Sequence, residues 1–174
     1  MNVEELSNNE ELLKKWQEKV SERTEAELQK ALTDYYGLEV GTGKPKIKGL
    51  LIDVYKLQGV NVVEFEGTLE NLYKLTDCSC IDIASRKVVD NVYDFVVDDE
   101  GLFRQPAVPS VYDIKEQPML VGNALICNHD DEGNLASLTD EQIEDLKKRC
   151  CTAMYTDDED KTHVFSILLG ADYE

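Results

Sequence analysis

The stretch VGNALICNHDDEGNLASLTDEQIEDLKKR, residues 121–149, carries the clearest fold signals in the chain. It begins as an apolar run, turns at the four residues DDEG (130–133), and continues into a helical pattern. Thr139 and Gln142 form a capping box at the start of that helix, and basic residues close it. The stretch therefore predicts a strand, a tight turn and an amphipathic helix whose inward stripe is Ile143, Leu146 and Cys150.

Short apolar and β-branched segments on both sides of this stretch predict further strands. Together with the run at 119–127, they span residues 47–57, 60–65, 80–89, 92–97 and 163–169. Residues 68–75 predict a short helix, a second DDEG at 98–101 predicts a hairpin turn, and the proline-rich residues 105–118 predict an extended loop. We expect a single α+β domain with a mainly antiparallel sheet of about six short strands and two packed helices.

The first 40 residues predict a helical arm. A capping box at Ser7 and Glu10 precedes an apolar stripe at helical spacing, made of Leu12, Leu13, Trp16 and Val20. This stripe has two open interpretations. It packs on the domain behind it, which we favour, or it packs on another chain, as in a homodimer.

A second capping box at Thr24 and Glu27, with Gly37 beyond the last turn, predicts a helix of its own. Length statistics favour a break near residues 21–24 over one continuous helix of about 28 residues. The predicted organisation is therefore a helical arm (1–40), a linker (41–46) and an acidic α+β domain (47–174). The linker contains G-x-G-K, but Pro45 follows its lysine, so we exclude a phosphate loop.

The charge balance is strongly acidic, with 36 Asp and Glu against 18 Lys and Arg, a net charge of −18. Residues 50–136 alone hold 16 acids and 6 bases. Such a field repels nucleic acid and anionic membranes and attracts basic surfaces. We therefore expect no nucleic-acid or membrane partner, and a basic protein if the partner is a macromolecule.

The chain shows no signal peptide and no apolar run long enough for a membrane span. Its cysteines are odd in number, and two of their spacings are too close for mutual bridging. A soluble protein in the reducing cytoplasm of a bacterial host is the expectation.

No residue pattern predicts a catalytic, cofactor or metal site. The pairs Cys78-x-Cys80, Cys127-x-His129 and Cys150-Cys151 lack the gap that zinc sites use. Residues 128–139 resemble a calcium loop, but the twelfth position is Thr139 where a bidentate glutamate is required. Neither histidine lies in a nucleophile motif.

Three acidic turns are the candidate partner-binding residues, because spaced carboxylates imitate the charge of a phosphate backbone. They comprise Asp98, Asp99, Glu100, Asp130, Asp131, Glu132, Asp157, Asp158, Glu159 and Asp160. Aromatic side chains among the acids would add contact area, namely Tyr73, Tyr93, Phe103 and Tyr112. The alternative of equal weight is that the acidity only keeps the protein soluble, or adapts it to a salty environment.

Several of these segments together resemble an uncharacterised domain family common in phages and mobile elements of Gram-positive bacteria. They are ALICNHDDEGNLASLTDEQIEDL, the strand IKGLLIDVY, the helix TLENLYKL and the hairpin FVVDDEGLF, within residues 47–149. The resemblance implies an accessory gene of a mobile element, but no activity. In that setting small acidic proteins often occupy the nucleic-acid site of a host nuclease.

The leading hypothesis is thus a non-enzymatic inhibitor that binds and blocks a basic host protein such as a nuclease or defence complex. The alternative is a small-molecule or nucleotide-sequestering protein with a pocket beside the proline loop. A hydrolase is the third hypothesis.

Overall fold

The computed structural model describes residues 24–157 and 159–173, so the capping box at Ser7 and the stripe around Trp16 lie outside the described residues. Within them, ten strands form one mixed sheet that is accompanied by three short α-helices. The expectation of a six-stranded, mainly antiparallel α+β fold is therefore wrong. In chain order the strands are β1 (Lys46–Asp53), β2 (Gly59–Glu66), β3 (Ile81–Val88), β4 (Asn91–Asp98), β5 (Pro109–Asp113), β6 (Pro118–Val121), β7 (Ala124–His129), β8 (Leu135–Ala136), β9 (Cys150–Thr156) and β10 (Thr162–Tyr173).

The sheet runs in the order β2-β1-β7-β4-β3-β10-β5-β6, with β8 added to β7 and β9 added to β10. Neighbours pair antiparallel, except that β10 and β5 pair in parallel. Strand β10 pairs with β9 along its first half and with β3 near its end. A register shift separates Leu168 from Ala171, and Gly170 between them has φ +81°. This irregularity allows the long strand β10 to pair with three strands, β9, β5 and β3.

The predicted strand 119–127 is two strands because Gly122 has φ +83°, which breaks the extended backbone. The following residue, Asn123, is fully buried and accepts a hydrogen bond from the Val54 amide at 2.9 Å. Its amide group donates to the carbonyl of Leu75 at 3.3 Å. One side chain therefore ties the entry of β7 to two other elements.

The proline-rich segment is not a loop throughout, because β5 and β6 lie within it and at its end. Pro109 and Pro118 each occupy the first position of their strand, where a missing N–H is tolerated. Strand β6 is also the last strand of the sheet order. Strand β9 follows directly after the third helix. The sequence shows no clean alternation of apolar and polar residues there, so no strand was predicted.

The α-helices are α1 (Glu25–Tyr36), α2 (Leu69–Thr76) and α3 (Asp140–Lys148). The two predicted capping boxes that fall within the described residues are present, at Thr24 with Glu27 and at Thr139 with Gln142. Thr24 has extended backbone angles and caps the helix, so α1 begins at Glu25.

Helix α1 protects an edge of the sheet, since β2 is the first strand of the order. The amide of Gln29 donates to the carbonyl of Val62 at 3.1 Å and accepts from the amide of Glu64 at 3.0 Å. One side chain thereby replaces part of a missing neighbour strand.

Two apolar clusters form the core, one on each face of the central strands. Leu50, Phe95 and Ile126 face the first cluster, which β10, β5 and α3 complete. Leu51 and Leu125 face the second, which α2 and the end of α1 cover. The central strands β1, β4 and β7 are therefore buried on both sides.

The linker donates hydrogen bonds to a carboxylate side chain of the domain, that of Glu66. The carboxylate of Glu66, itself mostly buried, accepts hydrogen bonds from the amides of Gly41 at 2.5 Å and Thr42 at 2.8 Å, and from the Thr42 hydroxyl. These donors lower the pKa of Glu66, the Thr42 hydroxyl first. The G-x-G-K segment thus holds a carboxylate in the way a nest of amides holds an anion.

No helix in residues 24–157 and 159–173 is long and apolar enough to cross a membrane.

The end of α1 is anchored by a buried hydrogen bond from the Tyr36 hydroxyl to Asp53, at 2.7 Å. Asp53 is fully buried and also accepts from the amides of Tyr55 and Lys56. Burial of the hydroxyl raises the pKa of Tyr36 well above its ordinary value, and the negative charge of Asp53 is the next largest cause.

Tyr36→Phe is expected to lower the free energy of unfolding by about 1–3 kcal/mol, because a buried carboxylate loses its hydroxyl donor. Urea denaturation followed by circular dichroism measures the change. Tyr35→Phe is the matched control, since it removes the same hydroxyl group from a tyrosine that is 52% exposed. Equal stability of the two variants would contradict the role of the Tyr36 hydroxyl.

Candidate functional site

The first aspartate of each acidic turn is a structural residue. Asp130 accepts hydrogen bonds from the amides of Glu132 at 2.9 Å and Asn134 at 2.8 Å. Asp157 does the same for Glu159 and Lys161, at 2.9 Å each. These are turn-closing side-chain contacts, and they lower the pKa of Asp130, chiefly through the Asn134 amide group.

Asp98 is also engaged inside the molecule, since its side chain is only 6% exposed and pairs with Arg104 at 2.6 Å. The later acids of the described turns are exposed, namely Asp99, Glu100, Asp131, Glu132, Glu159 and Asp160. Of these, Glu159 pairs with Lys161 at 2.6 Å. Asp158 lies outside the described residues.

The structure does not bring the two DDEG turns together. Strands β4 and β7 are antiparallel, with Asp94 opposite Cys127, so the end of β4 lies beside the start of β7. The turn at 98–101 follows the end of β4, and the turn at 130–133 follows the end of β7. The two turns therefore lie at opposite ends of the sheet.

Among the described residues, the most exposed large apolar side chains directly follow the first of these turns. Leu102 is 74% exposed and Phe103 is 84% exposed, directly after the acids Asp99 and Glu100. Residues 99–103 are called the 99–103 turn below. It is a one-turn 3₁₀ helix (Gly101–Phe103) and not the predicted hairpin.

The backbone of the 99–103 turn packs closely against Val121 of β6. Gly101 is buried, and a Cβ atom there would come within 3.0 Å of the Val121 carbonyl oxygen. The amide of Phe103 donates to the Glu100 carbonyl at 2.9 Å, and that of Arg104 donates to the Gly101 carbonyl at 3.3 Å. The turn is thus closed by local hydrogen bonds and presents two apolar side chains to solvent.

Arg104 is the main brace of the turn. Its guanidinium group donates hydrogen bonds to the Asp98 carboxylate and to the Asp77 carbonyl. Its Cζ atom lies over the Tyr55 ring, 5.1 Å from the ring centre. These contacts join the turn to the end of α2.

The predicted aromatic contact residues divide by burial. Phe103 is exposed, as the hypothesis requires, whereas Tyr93 is 2% exposed and belongs to the core. Tyr73 and Tyr112 are half-buried. Sequence reasoning missed Leu102, although its place beside Phe103 in an acidic turn was a usable signal.

A shallow pocket of about 480 Å³ opens beside Arg104, where the proline-rich segment begins. Three cations reach it, but each has a carboxylate partner: Lys56 with Asp77 at 2.7 Å, Lys74 with Glu39 at 3.9 Å, and Arg104 as described. Its remaining lining is Tyr36, Tyr73, Cys78 and Ser79. The pocket therefore has converging polar groups and little excess positive charge.

The cysteines and histidines do not assemble a catalytic group. The Asp94 carboxylate lies between the Ser85 hydroxyl, at 2.8 Å, and His129 Nδ1, at 3.4 Å, so the imidazole does not contact the hydroxyl. Burial raises the pKa of Cys127 to about 12 and that of Cys150 to about 12, which leaves both as neutral thiols.

The calcium-like segment uses its oxygen atoms internally. Asn128 bonds to Gln142 at 2.8 Å, Asp130 closes the turn, and Thr139 caps α3. Among residues 24–157 and 159–173, no three His, Cys, Asp or Glu side chains come together as a group that could hold a metal ion.

A family model described as a domain of unknown function (DUF3846) matches residues 47–151, more than half of the chain. The chain belongs to the DUF3846 family. The predicted membership of an uncharacterised family is thereby confirmed. Neither a curated protein nor a solved structure matches the chain.

The DUF3846 match runs from β1 to the start of β9 and leaves α1 and β10 outside it. It contains both DDEG turns, the 99–103 turn and Arg104. The braced turn is therefore part of the DUF3846 region itself and not of the flanking segments.

Arg104→Gln is expected to lower the free energy of unfolding by about 1.5–3 kcal/mol. The reason is that the carboxylate of Asp98, whose side chain is only 6% exposed, loses its charged hydrogen-bond donor. Urea denaturation gives the value, and hydrogen exchange at the Phe103 amide reports loosening of the turn. Lys161→Gln is the control, and its exposed pair with Glu159 is expected to contribute less than about 1 kcal/mol. Equal losses in both variants would contradict a bracing role for Arg104.

Proposed function

We propose that this protein is a non-enzymatic interaction protein that binds and blocks a basic partner through the 99–103 turn. The observation that carries the proposal is the exposure of Leu102 and Phe103 on a hydrogen-bonded turn, beside the exposed acids Asp99 and Glu100, which form no ion pair within the described chain. Adjacent exposed apolar side chains rimmed by charged residues are typical of interaction sites.

The turn has the anatomy of a binding hot spot. An aromatic and an aliphatic side chain form an apolar centre, and Asp99 and Glu100 form a charged rim. Because the backbone is held in place by Arg104 and Gly101, little conformational entropy is lost when the turn is bound. The complementary surface is an apolar cleft surrounded by lysine and arginine.

The overall acidity supports the choice of a basic partner. A net charge of −18 speeds the approach of a basic surface and slows that of nucleic acid. Since the two DDEG turns lie at opposite ends of the sheet, contact through one turn is a simpler arrangement than a continuous row of phosphate-like carboxylates. Nucleic-acid mimicry in this proposal is therefore local to one end of the molecule.

The biological setting belongs to the same proposal. The resemblance to proteins of phages and mobile elements implies a host nuclease or defence complex as the basic partner, and counter-defence as the role. A partner and a role of this kind would account for the small size and the acidity of the protein, and they require no catalytic group among its described residues.

Pull-down from host lysate is expected to capture a basic protein at low salt, with less recovered at high salt. The double variant Leu102→Ala and Phe103→Ala is expected to weaken capture about tenfold or more. Asp99→Asn with Glu100→Gln should reduce the salt dependence and leave an apolar contact in place.

Ile114→Ala is the matched control, because Ile114 is 62% exposed on the turn between β5 and β6 and is not part of the 99–103 turn. Capture that survives the double alanine variant would refute the turn as the binding site. Binding that ignores salt would refute the electrostatic part of the proposal.

A second candidate function, small-molecule binding, is supported by the pocket beside Arg104. Its volume of about 480 Å³ suits a small ligand, and its tyrosine, lysine and cysteine side chains converge. The pocket lies beside the start of the proline-rich segment, with Arg104 in its lining.

A nucleotide panel is expected to raise the melting temperature by several degrees if a member binds, because ligand at 100 times its Kd adds about 2.7 kcal/mol of stability. Lys74→Ala, which changes the pocket wall, should abolish the rise. Lys87→Ala, an exposed lysine outside the pocket, should not. No rise with any nucleotide would count against this second function and leave the first untouched.

A further inference from the structure

Strand β9 has one paired edge and one open edge within the described residues. It pairs with β10 along its whole length, from Cys150 opposite Leu168 to Thr156 opposite Thr162, and no other described strand pairs with it. A strand edge without a neighbour presents unpaired backbone N–H and C=O groups, which are a template for another strand. The open edge of β9 is therefore a candidate interaction surface.

The hydrogen bonds at the two ends of β9 show which residues face the open edge. In an antiparallel pair, every second residue exchanges hydrogen bonds with a given neighbour. The Leu169 amide donates to the Arg149 carbonyl at 3.1 Å, just before β9. Just after it, the Asp157 amide donates to the Lys161 carbonyl at 2.9 Å. Odd-numbered residues therefore bond to β10, and the backbone groups of the even-numbered residues face the open edge. These are Cys150, Thr152, Met154 and Thr156.

The edges at the two ends of the sheet order are protected, in contrast to that of β9. At one end, Gln29 of α1 bonds to the outer edge of β2. At the other end, β6 has only four residues and begins with Pro118. Short length, proline and charge are common features that prevent an edge from pairing. Strand β9 lacks all three, since its seven residues, CCTAMYT, include no proline and no charged residue.

The outer face of β9 carries an exposed apolar pair. Met154 is 70% exposed and lies opposite Val164 of β10, which is 47% exposed. Thr152 lies on the same face and is also exposed. The other face packs against the first apolar cluster through Ala153 and Tyr155. A strand added at the open edge would bring its own side chains into contact with Met154.

The charges on either side of β9 favour a second copy of the same strand as the partner. Three basic residues precede β9 and acids follow it. They are Lys147, Lys148 and Arg149 before the strand, and Asp157, Glu159 and Asp160 after it. An antiparallel copy of β9 reverses this order, so each basic end lies beside an acidic end of the other chain. A net charge of −18 repels a second copy elsewhere, and this uncharged strand with opposite ends is where the repulsion is relieved.

We infer that β9 pairs antiparallel with β9 of a second copy and joins the two sheets across a twofold axis. Pairing of all seven residues centres this axis on Ala153. In this register the even-numbered residues exchange backbone hydrogen bonds, because Thr152 lies opposite Met154 of the second copy. Arg149 then lies opposite Asp157, which joins each basic end to an acidic end. The dimer carries the 99–103 turn twice, once on each copy.

Analytical ultracentrifugation of the full chain is expected to give twice the mass of one chain. Met154→Lys places a charge on the open edge and is expected to raise the dissociation constant about tenfold or more. Val164→Lys is the matched control, since it puts the same charge on the same face but on β10, one strand further from the axis. It should leave the dissociation constant nearly unchanged.

The charged ends are tested by reversing the basic one. Lys148→Glu with Arg149→Glu is expected to weaken the dimer, because acids then face acids across the axis. Lys87→Glu with Lys115→Glu is the control, since it changes the net charge equally at exposed lysines on β3 and on the β5–β6 turn. A smaller effect of the control separates pairing of the ends from general repulsion.

The register is tested by a cross-link at the axis. Ala153→Cys is expected to form a disulfide-linked dimer on mild oxidation, because residues opposite each other outside the hydrogen-bonded pairs have Cα atoms about 4.5 Å apart. The exposed Cys80 and Cys151 are replaced by serine in this variant. Val164→Cys in the same background is expected to stay monomeric on a non-reducing gel, since β10 and its copy are separated by both β9 strands.

A monomer throughout the micromolar range would overturn the inference. A dimer that Met154→Lys leaves intact would overturn it as well, because another surface would then hold the two copies together. Cross-linking at Val164→Cys but not at Ala153→Cys would overturn the proposed pairing. Far-UV circular dichroism verifies that each variant is folded, and the cross-link does not depend on the charge variants.

Discussion

Strand β7 is buried on both of its faces, and this double burial is the constraint on which the rest of the structure depends. Ala124, Leu125, Ile126 and Cys127 are all fully buried, and β1 and β4 flank them on either side. A fully buried leucine or isoleucine side chain contributes roughly 1.5–3 kcal/mol. Each face of the three central strands must therefore be covered, which explains α2 on one side and the curled β9–β10 pair with α3 on the other.

The same arrangement explains how so acidic a chain folds. Aspartates at the first position of a turn, such as Asp53, Asp113, Asp130 and Asp157, accept backbone amides and fix the connections between strands. Such carboxylates are consumed by structure and are poor candidates for partner contact. The acids that remain exposed follow them in the sequence, so each acidic turn has a structural half and a free half. At the 99–103 turn, the exposed acids Asp99 and Glu100 adjoin the exposed side chains of Leu102 and Phe103.

Much of the local structure could be predicted from the residues. The capping boxes at Thr24 and Thr139 and the helix at α2 were correct because capping and helical spacing act within a few residues. The strands β5, β8 and β9 were missed because their segments carry weak patterns and owe their conformation to partners distant in sequence. Of the candidate site, Phe103 and the exposed acids were predicted, while Leu102 and the brace at Arg104 were not.

The sequence by itself determined the helix boundaries, the acidic character, membership in an uncharacterised family and the positions of the turns. All of these depend on composition or on residues close together in the chain. Only the tertiary structure decided which carboxylates are free, which aromatic side chain is exposed, and how β10 joins three neighbours. Burial and long-range pairing depend on side chains brought together from distant parts of the chain, so Tyr93 and Phe103 look alike in the sequence and differ completely in the fold.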